Sequence, residues 1–370
     1  MTPVTTAEKS VFMAMELSKK NWKLAFSNGE RIRHVNVVGG DQKGLCAAIE
    51  RSKEKLGLAR DCAVYSCYEA GRDGFWIHHC LTGMGVRNVV VDPASIEINR
   101  RRRRVKTDRL DAESLVRMLM RYVLHNEKTV WRVAVVPSEE AEDERRLHRE
   151  YKRLSGERIG HLNRISSLLT LHGVRFRKIV GMDTSRLRDW QGKPLPVLLQ
   201  EELRREQFRL DLLDEQIKAL DAQLRRAMKE PKSVVEEKSA KLAKLKGIGV
   251  HGSSVLSREF FGWRKFRNRR EIGSLAGLTG TAYASGETTV EQGISKAGNK
   301  RVRYTTIEMA WLWIRYQPRS ELTRWFMERF GGGGKRMRRI GIVAVARKLL
   351  IALWRYVEFD EIPAGAVMSV

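Results

Sequence analysis

Four carboxylates fall where the sequence pattern puts the ends of elements. Glu16 closes an apolar strand candidate, Ser10 to Leu17, and Glu69 closes another, Cys62 to Tyr68, just before Ala70-Gly71. Asp108 and Asp111 open a helical stretch and are three residues apart, so both face one side of that helix. Strand ends and helix starts of a parallel sheet converge at one edge, where sites form. Carboxylates gathered there repel and raise each other's pKa unless a cation sits among them. Mg²⁺ suits such hard oxygen ligands, with Mn²⁺ as a substitute, and it leaves positions open for water or phosphate. Two such ions about 3.5–4 Å apart can activate a nucleophile and hold the leaving oxygen in phosphoryl transfer. Glu16, Glu69, Asp108 and Asp111 are therefore candidate metal ligands and catalytic residues. The bland alternative is that the two aspartates only offset the helix dipole, with Thr107 as N-cap.

A second group lies near the other end of the chain. Ser285 sits in a small-residue loop beside Gly286, where backbone can approach phosphate closely. Lys296, Lys300, Arg301 and Arg303 follow and put positive charge at a helix start, a ready anion site. Ser295 reads as the cap of that helix. Upstream, Leu245-Lys246-Gly247-Ile248-Gly249 is a tight turn between two helices, similar to a helix-hairpin-helix turn in which Gly247 and Gly249 expose backbone amides to a phosphate. Two basic runs complete the set. Arg101, Arg102, Arg103, Arg104 and Lys106 lead straight into Asp108, and Arg145, Arg149 and Arg153 flank a long helix. Contacts from such runs go to the nucleic-acid backbone and are salt-dependent and sequence-blind.

The elements that must position these residues divide the chain in three. Residues 1–130 alternate strand and helix patterns. Trp22 to Ser27 and Arg31 to Val38 are joined by Asn28-Gly29, a strong hairpin signal. Helices are expected over Asp41 to Leu56, Phe75 to Leu81 and Asp108 to Val123, and a short strand over Asn88 to Val91. Three hairpin-linked strands followed by βα units predict a mixed α/β sheet covered by helices. Residues 138–230 read as two long helices, Ser138 to Leu171 and Leu199 to Met228, around a broken connector. Leu210, Leu213, Ile217, Leu220 and Leu224 give the second a coiled-coil seam, for an antiparallel hairpin, a dimer or both. Residues 235–360 form a mainly helical region, with a compact stretch to about Arg303, a four-glycine hinge at Gly331 to Gly334 and a frayed tail after Ile362.

Composition restricts the function classes. The 370 residues carry a net charge of +26, which points to a polyanionic partner and which a small-metabolite enzyme would not need. No uncharged stretch reaches the about 20 residues needed to span a bilayer, and the N-terminus lacks the features of a signal peptide. Four cysteines without a C-x-x-C pair argue against a disulfide scaffold or structural zinc. A soluble cytoplasmic protein of a reducing compartment, associated with the nucleoid, is the expectation.

Three strings carry a resemblance to a known family: Met15-Glu16-Leu17-Ser18-Lys19-Lys20, Tyr68-Glu69-Ala70-Gly71 and Val105-Lys106-Thr107-Asp108-Arg109-Leu110-Asp111-Ala112. Together they resemble the D-E-D-D metal motif in the RuvC-like (RNase H-type) domain of the IS-one-ten insertion-sequence transposases. The family's first acid is usually Asp; here it is Glu16. The C-terminal string from Leu275 to Arg303 resembles the transposase motif of the same family. The resemblance implies a RuvC-like domain, a coiled-coil region and a C-terminal transposase domain. It further implies that Ser285 is the nucleophile that joins to DNA and that a non-coding bridge RNA guides the reaction on donor and target DNA. Assembly as a homodimer or tetramer fits the coiled-coil seam and the need to cut several strands together. Two other classes stay open on the residues alone: a RuvC-like junction nuclease in which water attacks, and a non-catalytic nucleic-acid-binding relative.

Overall fold

The computed structural model describes residues 10–96, 108–175, 179, 181–285 and 288–369, with the backbone path alone for 108, 109, 282–285 and 288–291. The chain forms two compact units, 1–136 and 137–370.

The first unit is built on five strands: β1 (Val11–Glu16), β2 (Asn21–Ser27), β3 (Ile32–Val38), β4 (Val64–Glu69) and β5 (Arg87–Val91), in the order β3-β2-β1-β4-β5. β1 to β3 run antiparallel, while β4 pairs parallel with both β1 and β5. This is the mixed sheet expected from the sequence, and its order is compatible with an RNase H-like domain. The Asn28 side chain fixes the β2–β3 turn by accepting from the Glu30 and Arg31 amides at 3.1 and 3.0 Å.

Alternation along β1 and β4 sends successive residues to opposite faces. Val11, Met13, Met15 and Tyr68 pack on one face against α1 (Gln42–Lys55) and α2 (Trp76–Gly83). Phe12, Ala14 and Cys67 pack on the other, against Ala112, Leu115, Val116 and Leu119 of α3 (Asp108–Leu124). Both faces are thus covered by helices, which is why β1 and β4 carry no charge before their final acids; the polar side chain on the way, Ser66, is buried and donates to Asn88 Oδ1 at 2.7 Å.

The second unit opens with the short helix α4 (Glu139–Asp143), capped by Ser138, and continues into α5 (Arg146–Leu171). The single helix expected from Ser138 to Leu171 is therefore interrupted. At the break Arg145 turns inward, its guanidinium 4.4 Å from the Trp263 ring and its Nε donating to the Arg258 carbonyl. α6 (Val197–Lys229) runs back antiparallel to α5. Glu206, buried between them, accepts from Arg164 at 3.0 Å, and Arg158 pairs with Asp214 further along. Ile165, Leu169, Leu199, Leu203 and Leu210 form the apolar seam.

The remainder surrounds one apolar core that includes Leu242, Phe260, Phe261, Trp313, Phe326, Leu349 and Leu353. Its elements are α7 (Val234–Ala243), α8 (Val250–Leu256), α9 (Arg269–Leu275), the hairpin β6 (Gly280–Ser285) and β7 (Thr288–Ile294), α10 (Lys300–Tyr316), α11 (Glu321–Phe326) and α12 (Lys335–Phe359). The hairpin was not anticipated. Its first strand, Gly-Thr-Ala-Tyr-Ala-Ser, has no run of branched apolar residues to announce it. The tail expected to fray is instead held. Met368 bridges to Leu245, and the Gln317 side chain bonds both the Val367 carbonyl and its amide, at 2.8 and 2.7 Å.

Candidate functional site

Because β1 and β4 are parallel and Met15 pairs with Tyr68, the next residues, Glu16 and Glu69, emerge side by side at the C-terminal edge of the sheet. Both are half-buried, and both line one pocket of about 350 Å³. Two loops wall it, residues 17–19 after β1 and 70–74 after β4. The second is held by the buried Tyr68, whose hydroxyl donates to the Gly74 carbonyl at 3.2 Å. Lys19 and Arg72 bring cations to the pocket, and Asp73, which no sequence pattern singles out, adds a third carboxylate.

Glu16 continues the face of Phe12 and Ala14, and Glu69 that of Cys67, so both acids lie on the side of the sheet covered by α3. The Cys67 thiol, two residues before Glu69, lies 3.8 Å from the Leu115 carbonyl oxygen. Asp111 stands one helical turn before Leu115 and position 108 one turn before Ala112. The two positions therefore share the stripe of α3 that packs on the sheet. Asp111 is half-buried and does not line the pocket. The structure thus brings Glu16 and Glu69 together; among the described residues no three His, Cys, Asp or Glu side chains converge as a ligand set. The Asp108 side chain is outside that description, as are Arg101, Arg102, Arg103, Arg104, Lys106 and Thr107.

In the second unit Ser285 ends β6 and pairs with Thr288 across the tip of the hairpin. The N-cap of α10 is Asn299, whose side chain accepts from the Arg301 and Val302 amides; Ser295 does not take that position. Arg303 is half-buried and donates to the Lys296 and Ala276 carbonyls, tying down the turn before the helix. Lys296, Lys300 and Arg301 are exposed. Arg153 is exposed and paired with Glu150 and Glu157, whereas Arg145 is buried, as described above.

Arg149, Lys300, Arg301 and Gly249 meet around a single groove of about 700 Å³ between α5, α8 and α10. Beneath it lies a residue that sequence reasoning missed. Glu259, 2% exposed, sits in a buried π-helical turn, Ser257–Phe261, a distortion frequent at functional sites. It accepts from His148 Nε2 at 3.0 Å and from Arg149 Nε and Nη2 at 2.7 and 2.9 Å, with Asn299 at 3.3 Å and Arg301 at 3.9 Å. Burial opposes the charge on Glu259, but the His148 and Arg149 hydrogen bonds outweigh it and hold the carboxyl well below its ordinary range. Burial also pushes His148 below its usual value, against the pull of Glu259, so Arg149 carries the balancing charge. One isolated Glu within Ser-Arg-Glu-Phe-Phe gave no such signal in the sequence.

Both shifts have one sign, since the folded state binds fewer protons at each group than the unfolded chain does. Their contribution is complete above the ordinary His value of 6.5. It declines as pH falls, first through His148 and then, below the ordinary Glu value of 4.5, through Glu259. Thermal unfolding from pH 7 to pH 4 should show this loss, and Glu259→Gln should reduce the part of it below 4.5. Glu259→Ala leaves the buried His148 N–H without its acceptor and Arg149 without its countercharge, and should cost about 1–3 kcal/mol at neutral pH; an unchanged melting temperature would rule out this role.

The two turn glycines differ in what the fold requires of them. Gly247 has φ +90°, and a Cβ there would meet the Leu312 carbonyl and the Tyr316 side chain at 3.3 Å. Gly247→Ala should therefore destabilise the fold by about 1–3 kcal/mol. Gly249 has no such constraint: its backbone is extended, and a Cβ would meet nothing within 4 Å. Gly249→Ala should leave the melting temperature unchanged. If it weakens DNA binding, the missing side chain serves a ligand; if both variants melt alike, the distinction fails.

With this geometry in place, comparison with known proteins is informative. The model of the transposase IS116/IS110/IS902 family matches residues 239–323, a segment that contains the glycine turn, Glu259, Ser285 and all of α10. The "Putative transposase y4rJ" of Sinorhizobium fredii is 41% identical over 97% of this chain and 95% of its own length. "Putative transposase y4qE" of the same organism is 28% identical over 84% and 73%. The transposase for insertion sequence element IS1328 of Yersinia enterocolitica is 24% identical over 60% and 63%. The class is thus that of insertion-sequence transposases. The chain belongs to the IS116/IS110/IS902 family. Among the described residues no helix is long and apolar enough to cross a membrane.

Proposed function

We propose that this transposase cuts and rejoins DNA by metal-assisted phosphoryl transfer, with Ser285 as the nucleophile and Glu16, Glu69, Asp108 and Asp111 as the acidic set. The observation that carries the reading is the pairing of Glu16 with Glu69 at adjacent parallel strand ends around one pocket. Their oxygens are the donor type that Mg²⁺ takes, or Mn²⁺ in its place. The pocket walls leave room for solvent or a phosphate beside them. When bound, such an ion supplies positive charge against the oxygens of the phosphate under attack.

The chain's own residues account for the rest. The Ser285 hydroxyl attacks a phosphodiester; an Oγ–P bond forms as a P–O bond of the DNA breaks, and the leaving oxygen departs as a DNA hydroxyl. A DNA hydroxyl later reverses the step on the phosphoserine ester. Bond energy is conserved throughout, so no nucleotide cofactor is needed. Lys19 and Arg72 at the acidic pocket, and Arg149, Lys300 and Arg301 at the groove, hold backbone phosphates. The net charge of +26 is consistent with a second polyanion beside the DNA, a guide RNA. Self-association as a dimer or tetramer is supported by apolar side chains left exposed at the connector end of the helical hairpin: Leu171 (78%), Trp190 (75%), Leu198 (78%) and Phe208 (73%).

Strand exchange is the test. Purified protein with the RNA that co-purifies with it, DNA carrying the two ends of an element, and Mg²⁺ should yield rejoined products. Nicks ending only in free termini, with no rejoining, would favour the water-using junction nuclease, and no cleavage in any divalent metal would favour a binding protein. For the RNA, co-purification of one discrete transcript is expected; random RNA alone, released by high salt, would count against it.

A further inference from the structure

The groove between α5, α8 and α10 has a composition that phosphate contacts alone do not explain. Arg149, Lys152, Lys300 and Arg301 line it, yet so do apolar side chains: the buried Met309, with Val255 and Leu312. Aromatic faces stand among them. Tyr151 and His251 are stacked, with ring centroids 3.9 Å apart and planes 17° from parallel. Tyr304 is 50% exposed, although packing alone would favour burying a ring of that size, and the Lys152 ammonium sits 5.0 Å above it. Glu308 is the one carboxylate in the lining, and it is hydrogen-bonded to the Tyr304 hydroxyl. The buried Glu259 fixes Arg149 and faces Arg301 from below, so part of the cationic lining is held in place before any ligand arrives.

A solvent-exposed backbone track needs cations and no apolar floor. A base needs an aromatic face and a dry floor, and a nucleotide needs both sets at once. The volume, about 700 Å³, lies within the about 300–1,000 Å³ of sites that enclose small molecules. A paired duplex does not fit this chemistry, because its base faces are covered by neighbouring bases and only edges are presented. We infer that this groove receives a single unstacked DNA nucleotide, its phosphate on Arg149, Lys300 and Arg301 and its base against Tyr304 and the Tyr151–His251 stack.

The inference rests on the proposal that the second unit binds DNA, and the experiment separates the two. Three duplexes are compared by fluorescence anisotropy with the full chain: fully paired, carrying one unpaired nucleotide, and carrying one unpaired abasic residue. The unpaired nucleotide should improve binding about ten-fold, the scale of one base–aromatic stack. The abasic residue should not. Tyr304→Leu, on an exposed ring, should keep the melting temperature and lose the ten-fold advantage, while Tyr304→Phe should retain it. Equal binding of the paired and unpaired duplexes would overturn the inference and leave DNA binding intact. An advantage that persists with the abasic residue would also overturn it, because that reports a bent helix and not a captured base. So would an advantage absent from the DNAs and found only in a fourth duplex, of RNA, carrying the unpaired nucleotide. No binding to any of the three DNAs would overturn the underlying proposal and the inference together.

Discussion

Glu69→Gln is expected to lower strand cutting by about 10³-fold or more, with the fold unchanged. The substitution is nearly isosteric and replaces a half-buried carboxylate that lines the pocket at the end of β4. It removes one of the two negative charges that the structure pairs there. Several kcal/mol of charge stabilisation at a reacting phosphate go with it, and about 4 kcal/mol corresponds to about 10³ in rate. Glu16→Gln should behave alike. Glu16→Asp tests the departure from the family's usual first acid: a variant as active as the parent shows that the pocket accepts either length. Single-turnover cleavage at varied Mg²⁺ and Mn²⁺ is the measurement. If Glu69→Gln cuts at the parental rate in Mg²⁺, the pocket is not where the metal acts.

The second large effect is at Ser285. Ser285→Ala should abolish strand exchange, by about 10⁴-fold or more, since loss of a covalent nucleophile leaves only binding and electrostatic contributions. DNA binding should persist, because the lining of the groove in the same unit is untouched. The position at the end of β6, paired with Thr288, makes the change structurally mild. A variant that retains exchange would transfer the attack to water and leave the serine as part of a turn.

Much of the first unit was legible in the sequence, for a physical reason. Strands covered on both faces exclude charge until their last residue, so an acid at that point is conspicuous, and parallel pairing makes two such ends neighbours. Glu16 and Glu69 could be placed together on that basis. Asp108 and Asp111 could be assigned to one helix face, but which residues line the pocket depends on loop paths, and Asp73 entered it that way. In the second unit, periodicity located α6 and the C-terminal end of α5 closely, but it ran α5 back to Ser138, through the break before Arg146. It could not show that Arg145 turns inward while Arg149, one turn on, reaches the groove. That distinction is set by Trp263 and Glu259, more than 100 residues away in sequence. The hairpin bearing Ser285 was hidden by its small residues. The anchored C-terminus was hidden because its partners, Leu245 and Gln317, are equally remote.

The most direct test is chemical. Wild-type protein with its co-purifying RNA, incubated with element-end DNA and Mg²⁺, denatured, digested and examined by mass spectrometry, should yield one peptide carrying a nucleotide phosphate on Ser285. That peptide should be missing from Ser285→Ala, from Glu69→Gln and from wild type in chelator. A phosphorylated adduct on any other residue, or strand exchange at full rate with no adduct formed, would contradict the account.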